Sequence, residues 1–264
     1  MDLGLEGRVA WVLGGSTGIG RAVAFSMASE GARVAISARD EKRLSETADE
    51  ITRAQKSVCT AVPADVTDPD AIRDAAARIA SELGPVDVLV ANAGGPPLGT
   101  HDSLEDGDFA AAFDLSLRSA WLLARCVIPS MKERRSGCLV FMTSSSVKEV
   151  IDGLALSNTM RPAVVGLAKT LSRELGPHGV RVVCVAPGRT ETDRVRILDE
   201  AAAAATGRSP DEVRRANESS VPLGRYARPE EISDVVAFVA SERASYLTGV
   251  TLLVDGGASR GVLS

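Results

Sequence analysis

The chain of 264 residues has a formal net charge of −5, with 45% apolar, 25% charged and 3% aromatic residues. That length builds one large core unaided, and the acidic balance offers no basic excess to recruit nucleic acid. The four cysteines (Cys59, Cys126, Cys138, Cys184) are scattered, and there are two histidines, His101 and His178. This usage reads as small core side chains in a reducing compartment, without a disulfide framework or a metal site. No apolar stretch reaches the roughly 18 residues of a membrane span and no cleavable leader pattern is visible, so a cytoplasmic protein with no membrane partner is expected.

In chain order, short Val/Ala/Ile/Leu runs alternate with longer amphipathic stretches. The runs are "RVAWVL" (8–13), "RVAIS" (33–37), "SVCTAV" (57–62), "VDVLVA" (86–91), "CLVFM" (138–142), "VRVVCV" (180–185) and "VTLLV" (250–254). Runs that are apolar on successive residues suit strands buried on both faces, and helix-length segments between them suit crossovers. The expectation is an α/β fold, a single domain over 1–264 with a doubly wound sheet of about seven parallel strands flanked by helices. Residues 189–230 are less regular: two polar helical pieces, one of them alanine-rich, which read as a mobile substrate lid.

The first run is followed directly by "GGSTGIG". Gly14, Gly18 and Gly20, with Ser16, Thr17 and Ile19 between them, let the backbone turn tightly and approach a pyrophosphate at the positive end of a helix. This makes the sheet Rossmann-type and the ligand a dinucleotide. The second run ends at Ser37 and Ala38, followed by Arg39. A carboxylate there would suit the free ribose of NAD, whereas Arg39, with Ser37 and Arg43, offers donors to the 2′-phosphate of NADP. Asp40 is either a helix N-cap or a ribose ligand.

The spacing G-x-x-x-G-x-G resembles the phosphate loop of the short-chain dehydrogenase/reductase family, with Leu13 in place of the usual threonine. The resemblance covers nearly the whole chain. "PADVTD" (63–68) is similar to the family's third strand end, which implies that Asp65 and Val66 border the adenine. "VANAGG" (90–95) resembles the turn after the fourth strand, with Asn92, Ala93 and Gly94 in register. "VAPGRTET" (185–192) resembles the turn that holds the nicotinamide amide, which implies roles for Pro187, Gly188, Thr190 and Thr192. Residues 222–257 are close to the C-terminal signature, which in relatives builds a dimer or tetramer, so a homo-oligomer, as a homotetramer, is expected.

The catalytic tetrad of that family (Asn, Ser, and Tyr and Lys as Y-x-x-x-K) is largely replaced. Counting back from "GLAKTL" puts Ser157 and Arg161 at the Tyr and Lys positions, Ser116 stands for the asparagine, and Ser144 keeps the serine, with Ser145 as the register alternative. The two tyrosines, Tyr226 and Tyr246, have no lysine four residues on. Arg161 can hold the nicotinamide ribose and supply charge, but it stays protonated and cannot relay a proton. Ser157 can donate a hydrogen bond to a carbonyl oxygen but is a poor acid. Lys148, in the loop after the fifth strand, is the candidate acid if that loop folds inward. Ser157 and Asn158 also suit a helix N-cap, with Pro162 in the first turn. A residue before proline avoids helical angles, which puts the place of Arg161 in question. His101 reads as a surface loop residue.

The expected function is an NADP(H)-dependent oxidoreductase that interconverts a small-molecule carbonyl and an alcohol through a non-standard proton donor. The replaced tetrad argues against assigning a 3-oxoacyl-carrier-protein reductase by resemblance. The alternatives are a silent dinucleotide-binding or assembly protein, and a lyase on the same fold.

Overall fold

The first strand shows why both faces of the sheet must be covered. In β1 (Val9–Leu13) every residue is buried, and the side chains divide by parity: Val9, Trp11 and Leu13 enter one apolar cluster, Ala10 and Val12 the other. The computed structural model describes residues 2–262. Its sheet contains β1, β2 (Arg33–Ser37), β3 (Cys59–Ala61), β4 (Val88–Ala91), β5 (Gly137–Met142), β6 (Val180–Pro187) and β7 (Val250–Val254). All pairings are parallel, in the order β3-β2-β1-β4-β5-β6-β7. This is the expected single doubly wound fold.

Helices α1 (Gly18–Ser29) and α2 (Glu41–Gln55) bury Val23, Met27, Leu44 and Ile51 against the Val12 face. The opposite face receives Ile72 and Ile79 of α3 (Pro69–Glu82), Leu123 of α5 (Ser119–Arg134), which follows α4 (Asp106–Phe113), and Val164 of α6 (Ala155–Leu175). Each such side chain, once fully buried, contributes roughly 1.5–3 kcal/mol. After β6 come α7 (Asp193–Thr206) and α8 (Pro210–Ser220), the two helical pieces expected in the lid, and then α9 (Pro229–Ala240).

Three strand ends differ from expectation by two residues: the starts of β3 and β4, the latter at Val88, and the end of β6. Lys56 takes a left-handed conformation after α2, so β3 begins only at Cys59. β6 runs on to Pro187 because β7 keeps pairing with it, Pro187 opposite Val254. Cys138 and Cys184 are buried and unbridged, and burial pushes the Cys184 thiol up to about 12. Among the described residues no helix is long and apolar enough to cross a membrane, and no cluster of His, Cys, Asp and Glu could hold a metal. The strand order reverses at β1 and β4, and the crevice beyond their carboxyl ends is where such a sheet binds its ligand.

Candidate active site

The turn between β1 and α1 is shaped around its glycines. Gly14 and Gly18 have φ of +64° and +52°, and the Gly14 N–H donates to the Ser37 carbonyl at 2.7 Å. A side chain at Gly20 would run into the Gly14 carbonyl, and one at Gly14 would come within 2.8 Å of Asn92. Asn92 in turn donates to the Leu13 carbonyl at 3.2 Å, tying the end of β4 to the end of β1. Thr17 is the N-cap of α1 but makes no side-chain cap bond. The first amides of that helix therefore suit a phosphate, and the residues present fit a dinucleotide pyrophosphate. Ser16 is buried behind this turn, while Thr17 and Ile19 line the cleft.

At the end of β2 the expectation needs a correction. Ser37 is 1% exposed, and its hydroxyl accepts the Trp11 indole N–H at 2.9 Å, so it faces the core and cannot reach a 2′-phosphate. Arg39 is exposed at the strand end. Asp40 is the N-cap of α2, accepting from the Arg43 amide at 3.0 Å. Asp65 closes a turn with the Thr67 amide and hydroxyl at 2.9 and 2.8 Å. Partial burial pushes its pKa up, but the Thr67 bonds and the nearby Arg39 charge outweigh that and hold it below the usual carboxylate range. Val66 packs at the edge of the core.

The other half of the crevice opens into a cavity of about 800 Å³. Its walls bring together Asn92, Ala93, Gly94, Ser144, Ser157 and Arg161 with Pro187, Gly188, Thr190 and Thr192. Thr192 is the N-cap of α7, its hydroxyl accepting from the Val195 amide at 3.4 Å. A side chain at Gly18 would lie 3.1 Å from the Thr192 methyl, so the start of α7 sits over the phosphate turn.

Ser157 and Arg161 are buried one turn apart on the inner face of α6. The helix starts two residues before Ser157, with Leu154 as an N-cap that makes no side-chain bond, so neither Ser157 nor Asn158 caps it. Asn158 instead clamps the preceding loop, accepting from the Ile151 amide at 3.2 Å and donating to its carbonyl at 2.9 Å. Pro162 lies two turns inside the helix, not in its first turn. The apolar stripe through Met160, Val164 and Ala168 overrides the local aversion of a pre-proline residue to helical angles. Arg161 thereby stays within the helix, on the face turned to the cavity. It is 8% exposed, and its Nη1 and Nη2 donate to the carbonyls of Met142 (2.8 Å) and Gly94 (3.1 Å), fastening β5 to the turn after β4. Its Nε has no partner. Burial, and then the charge of Arg194, push its pKa down to about 10, which leaves a cation at neutral pH.

Ser144 lines the cavity and its hydroxyl accepts from the Ser146 amide at 3.1 Å. Two expected site residues stand elsewhere. Lys148 follows the short turn Ser145–Val147, is exposed, and does not line the cavity, because that turn carries it outward. Ser116, in a π-helical turn over Asp114–Arg118, is buried behind the cavity wall with its hydroxyl unpartnered. Neither tyrosine enters. The Tyr226 hydroxyl donates to Asp199 at 2.8 Å, and Tyr246 is fully exposed. His101 is exposed, as expected, but opens the short 3-10 turn His101–Ser103 rather than lying in a loop.

Three features were not read from the sequence. The Ser146 hydroxyl lies 3.3 Å from that of Ser157, extending the hydroxyl chain inward, and the run "SSS" gave no basis for choosing it. Asp199 gathers Tyr226, Arg189 (2.9 Å) and Asn217 (3.0 Å), which fixes α7 and α8 to the turn after β6. Arg194 of α7 donates to the Pro96 carbonyl at 2.7 Å and lines the cavity, though in sequence it looks like any charge on a solvated helix.

Comparison with known proteins agrees with this geometry. The family model described as Enoyl-(Acyl carrier protein) reductase matches residues 14–259. The chain is 35% identical over 261 residues to 2,3-dihydro-2,3-dihydroxybenzoate dehydrogenase of Bacillus subtilis, covering 98% of both chains. It is 34% identical over 259 residues to 3-oxoacyl-[acyl-carrier-protein] reductase of Escherichia coli, covering 97% of this chain and 98% of that one. The structure superposes on L-sorbose reductase of Gluconobacter frateurii, solved with NADPH and L-sorbose, with a TM-score of 0.94 and 29% identity over 99% of this chain and 100% of that one. With its parallel sheet, glycine-shaped phosphate turn and near full-length matches, the chain belongs to the short-chain dehydrogenase/reductase family.

Proposed function

We propose that the protein is an NADP(H)-dependent oxidoreductase that interconverts a carbonyl and an alcohol without a tyrosine acid. The observation that carries this reading is the Arg161 guanidinium, buried between Gly94 and Met142 in the same cavity as Ser144 and Ser157. The NADPH bound in the relative solved with L-sorbose supports the choice of cofactor, as does Arg39 at the end of β2. When bound, the cofactor supplies or accepts hydride.

The chain's own residues do the rest. The amides at the start of α1 hold the pyrophosphate and Arg39 takes the 2′-phosphate. Arg161 positions the nicotinamide ribose and keeps a positive charge beside the reacting carbon. Ser144 and Ser157 donate hydrogen bonds to the substrate oxygen, with Ser146 behind Ser157. With Lys148 outside the cavity, the proton comes from water in the cleft or from an acidic hydroxyl of the substrate itself. Quinone-like ketones and enols, which need little help from an acid, fit such a site best.

Residues 189–230 act as the lid: Val195, Leu198, Ala201, Ala202 and Ala205 line the cavity, while the Asp199 network hinges the segment to the body. The exposed Phe109, Phe113 and Trp121 on α4 and α5 support a homo-oligomer.

NADPH oxidation measured against a panel of ketones and quinones tests the reading. Turnover of quinone-like members is expected. Tight NADPH binding with no turnover of any member would establish the second reading, a catalytically silent dinucleotide-binding protein, which the displacement of both tyrosines from the cavity favours.

A further inference from the structure

Arginines elsewhere in this protein are commonly paired with carboxylates: Arg8, Arg21, Arg78, Arg118, Arg134, Arg214 and Arg225 all make ion pairs. Inside the cavity, Arg189 is paired with Asp199 at 2.9 Å. Arg161 and Arg194 line the same cavity and, among the described residues, neither has a carboxylate partner. We propose that this pair of guanidiniums holds a carboxylate of the substrate, making the enzyme selective for carbonyl compounds that are also acids.

The geometry supports this at three points. Arg161 spends its two terminal nitrogens on neutral carbonyls and keeps a buried Nε with no partner. Arg194 spends one nitrogen on the Pro96 carbonyl, and its guanidinium lies flat against Gly95, where a side chain on that glycine would come within 2.5 Å of its Nε. The cavity carboxylates, Asp152 and Asp193, are exposed at its rim, and Asp193 is engaged by Arg196 at 3.7 Å. Leu98, Ile151, Leu154 and Leu198 give the same space an apolar wall.

Two cations facing an apolar space repel each other and lose hydration, a cost that an anion between them removes. Burial and mutual repulsion lower the Arg161 pKa, and burial lowers that of Arg194, as expected for uncompensated charge. Planar guanidiniums also match a carboxylate bidentately.

The anion could in principle be a cofactor phosphate, but the turn after β4 argues otherwise. Its Asn92 end meets Gly14 and the phosphate turn, whereas Gly94, Gly95 and Pro96, which the two arginines touch, lie further along it. Arg194 therefore stands on the substrate side of the cleft, and Arg161, on Gly94, stands between it and the nicotinamide end, where it can face both.

The proposal rests on the carbonyl-reducing reading for the word "substrate", and the test separates the two. The probes are benzoylformate, 4-acetylbenzoate and levulinate, each with its methyl ester, titrated by calorimetry into protein saturated with NADP+, which cannot reduce them. At least one acid should bind about 30-fold or more tighter than its ester, the scale of charge-assisted hydrogen bonds. Arg194→Met should erase that preference while changing NADP+ affinity less than about threefold, and Arg194→Lys should restore part of it. If no acid outbinds its ester, or if Arg194→Met weakens NADP+ and leaves the acid preference intact, the proposal is overturned. The same probes are then offered with NADPH. Selective acid binding without NADPH oxidation removes the catalytic reading and leaves the anion site, while equal reduction of acids and esters by NADPH does the reverse.

Discussion

The two halves of the cleft follow opposite rules. In the half that meets the pyrophosphate, backbone does the work: Gly14, Gly18 and Gly20 are fixed by close approaches that a side chain would block. In the other half side chains line the space, and in the proposed function a hydroxyl and a guanidinium, Ser157 and Arg161, stand in for the family's acid and relay. Backbone sites tolerate little change because their geometry is steric. Side-chain sites can be rebuilt, and their chemistry changes with them.

Substitutions should separate the halves. The largest effect is expected at the turn: Gly20→Val pushes a side chain into the Gly14 carbonyl, and overpacking of about 1–3 kcal/mol corresponds to as much as ~100-fold in NADPH affinity, read by fluorescence titration. In the reacting half, Arg161→Met should leave NADPH bound but cut turnover about 100-fold, with Arg161→Lys recovering part of it. A melting curve serves as control, since the Met142 and Gly94 carbonyls lose their donor. Arg39→Ala should weaken NADPH about tenfold and leave NADH unchanged, measured as a ratio of affinities. The smallest effect is expected at Tyr226→Phe, which removes the bond to Asp199 at a cost of about 1 kcal/mol in stability but leaves the pH–rate profile unaltered. A profile that changed would mean the tyrosine takes part after all.

The same division governs what could be read from the sequence. The sheet and the phosphate turn were legible because successive apolar residues and glycine spacing translate directly into backbone geometry. Ser37 misled, because nothing local reveals that its hydroxyl serves Trp11. The alternative of Ser157 as a cap stayed open because the clamp between Asn158 and Ile151, which starts the helix earlier, depends on a loop whose path the sequence does not state. Arg194 was invisible for the opposite reason: a charge on an exposed-looking helix becomes a cavity residue only once α7 lies over the turn after β4.

In the proposed function, hydride transfer runs without a titrating acid on the protein. The most direct measurement is the single-turnover rate of NADPH oxidation by a quinone, followed by stopped flow across pH. Serine hydroxyls do not titrate in this range, and Arg161, with its pKa near 10, is cationic on the acid side of that value and lost only above it. The rate should therefore be flat from about pH 6 to about pH 9 and fall only beyond. A rate that titrates within that window, or no oxidation at all, would contradict it.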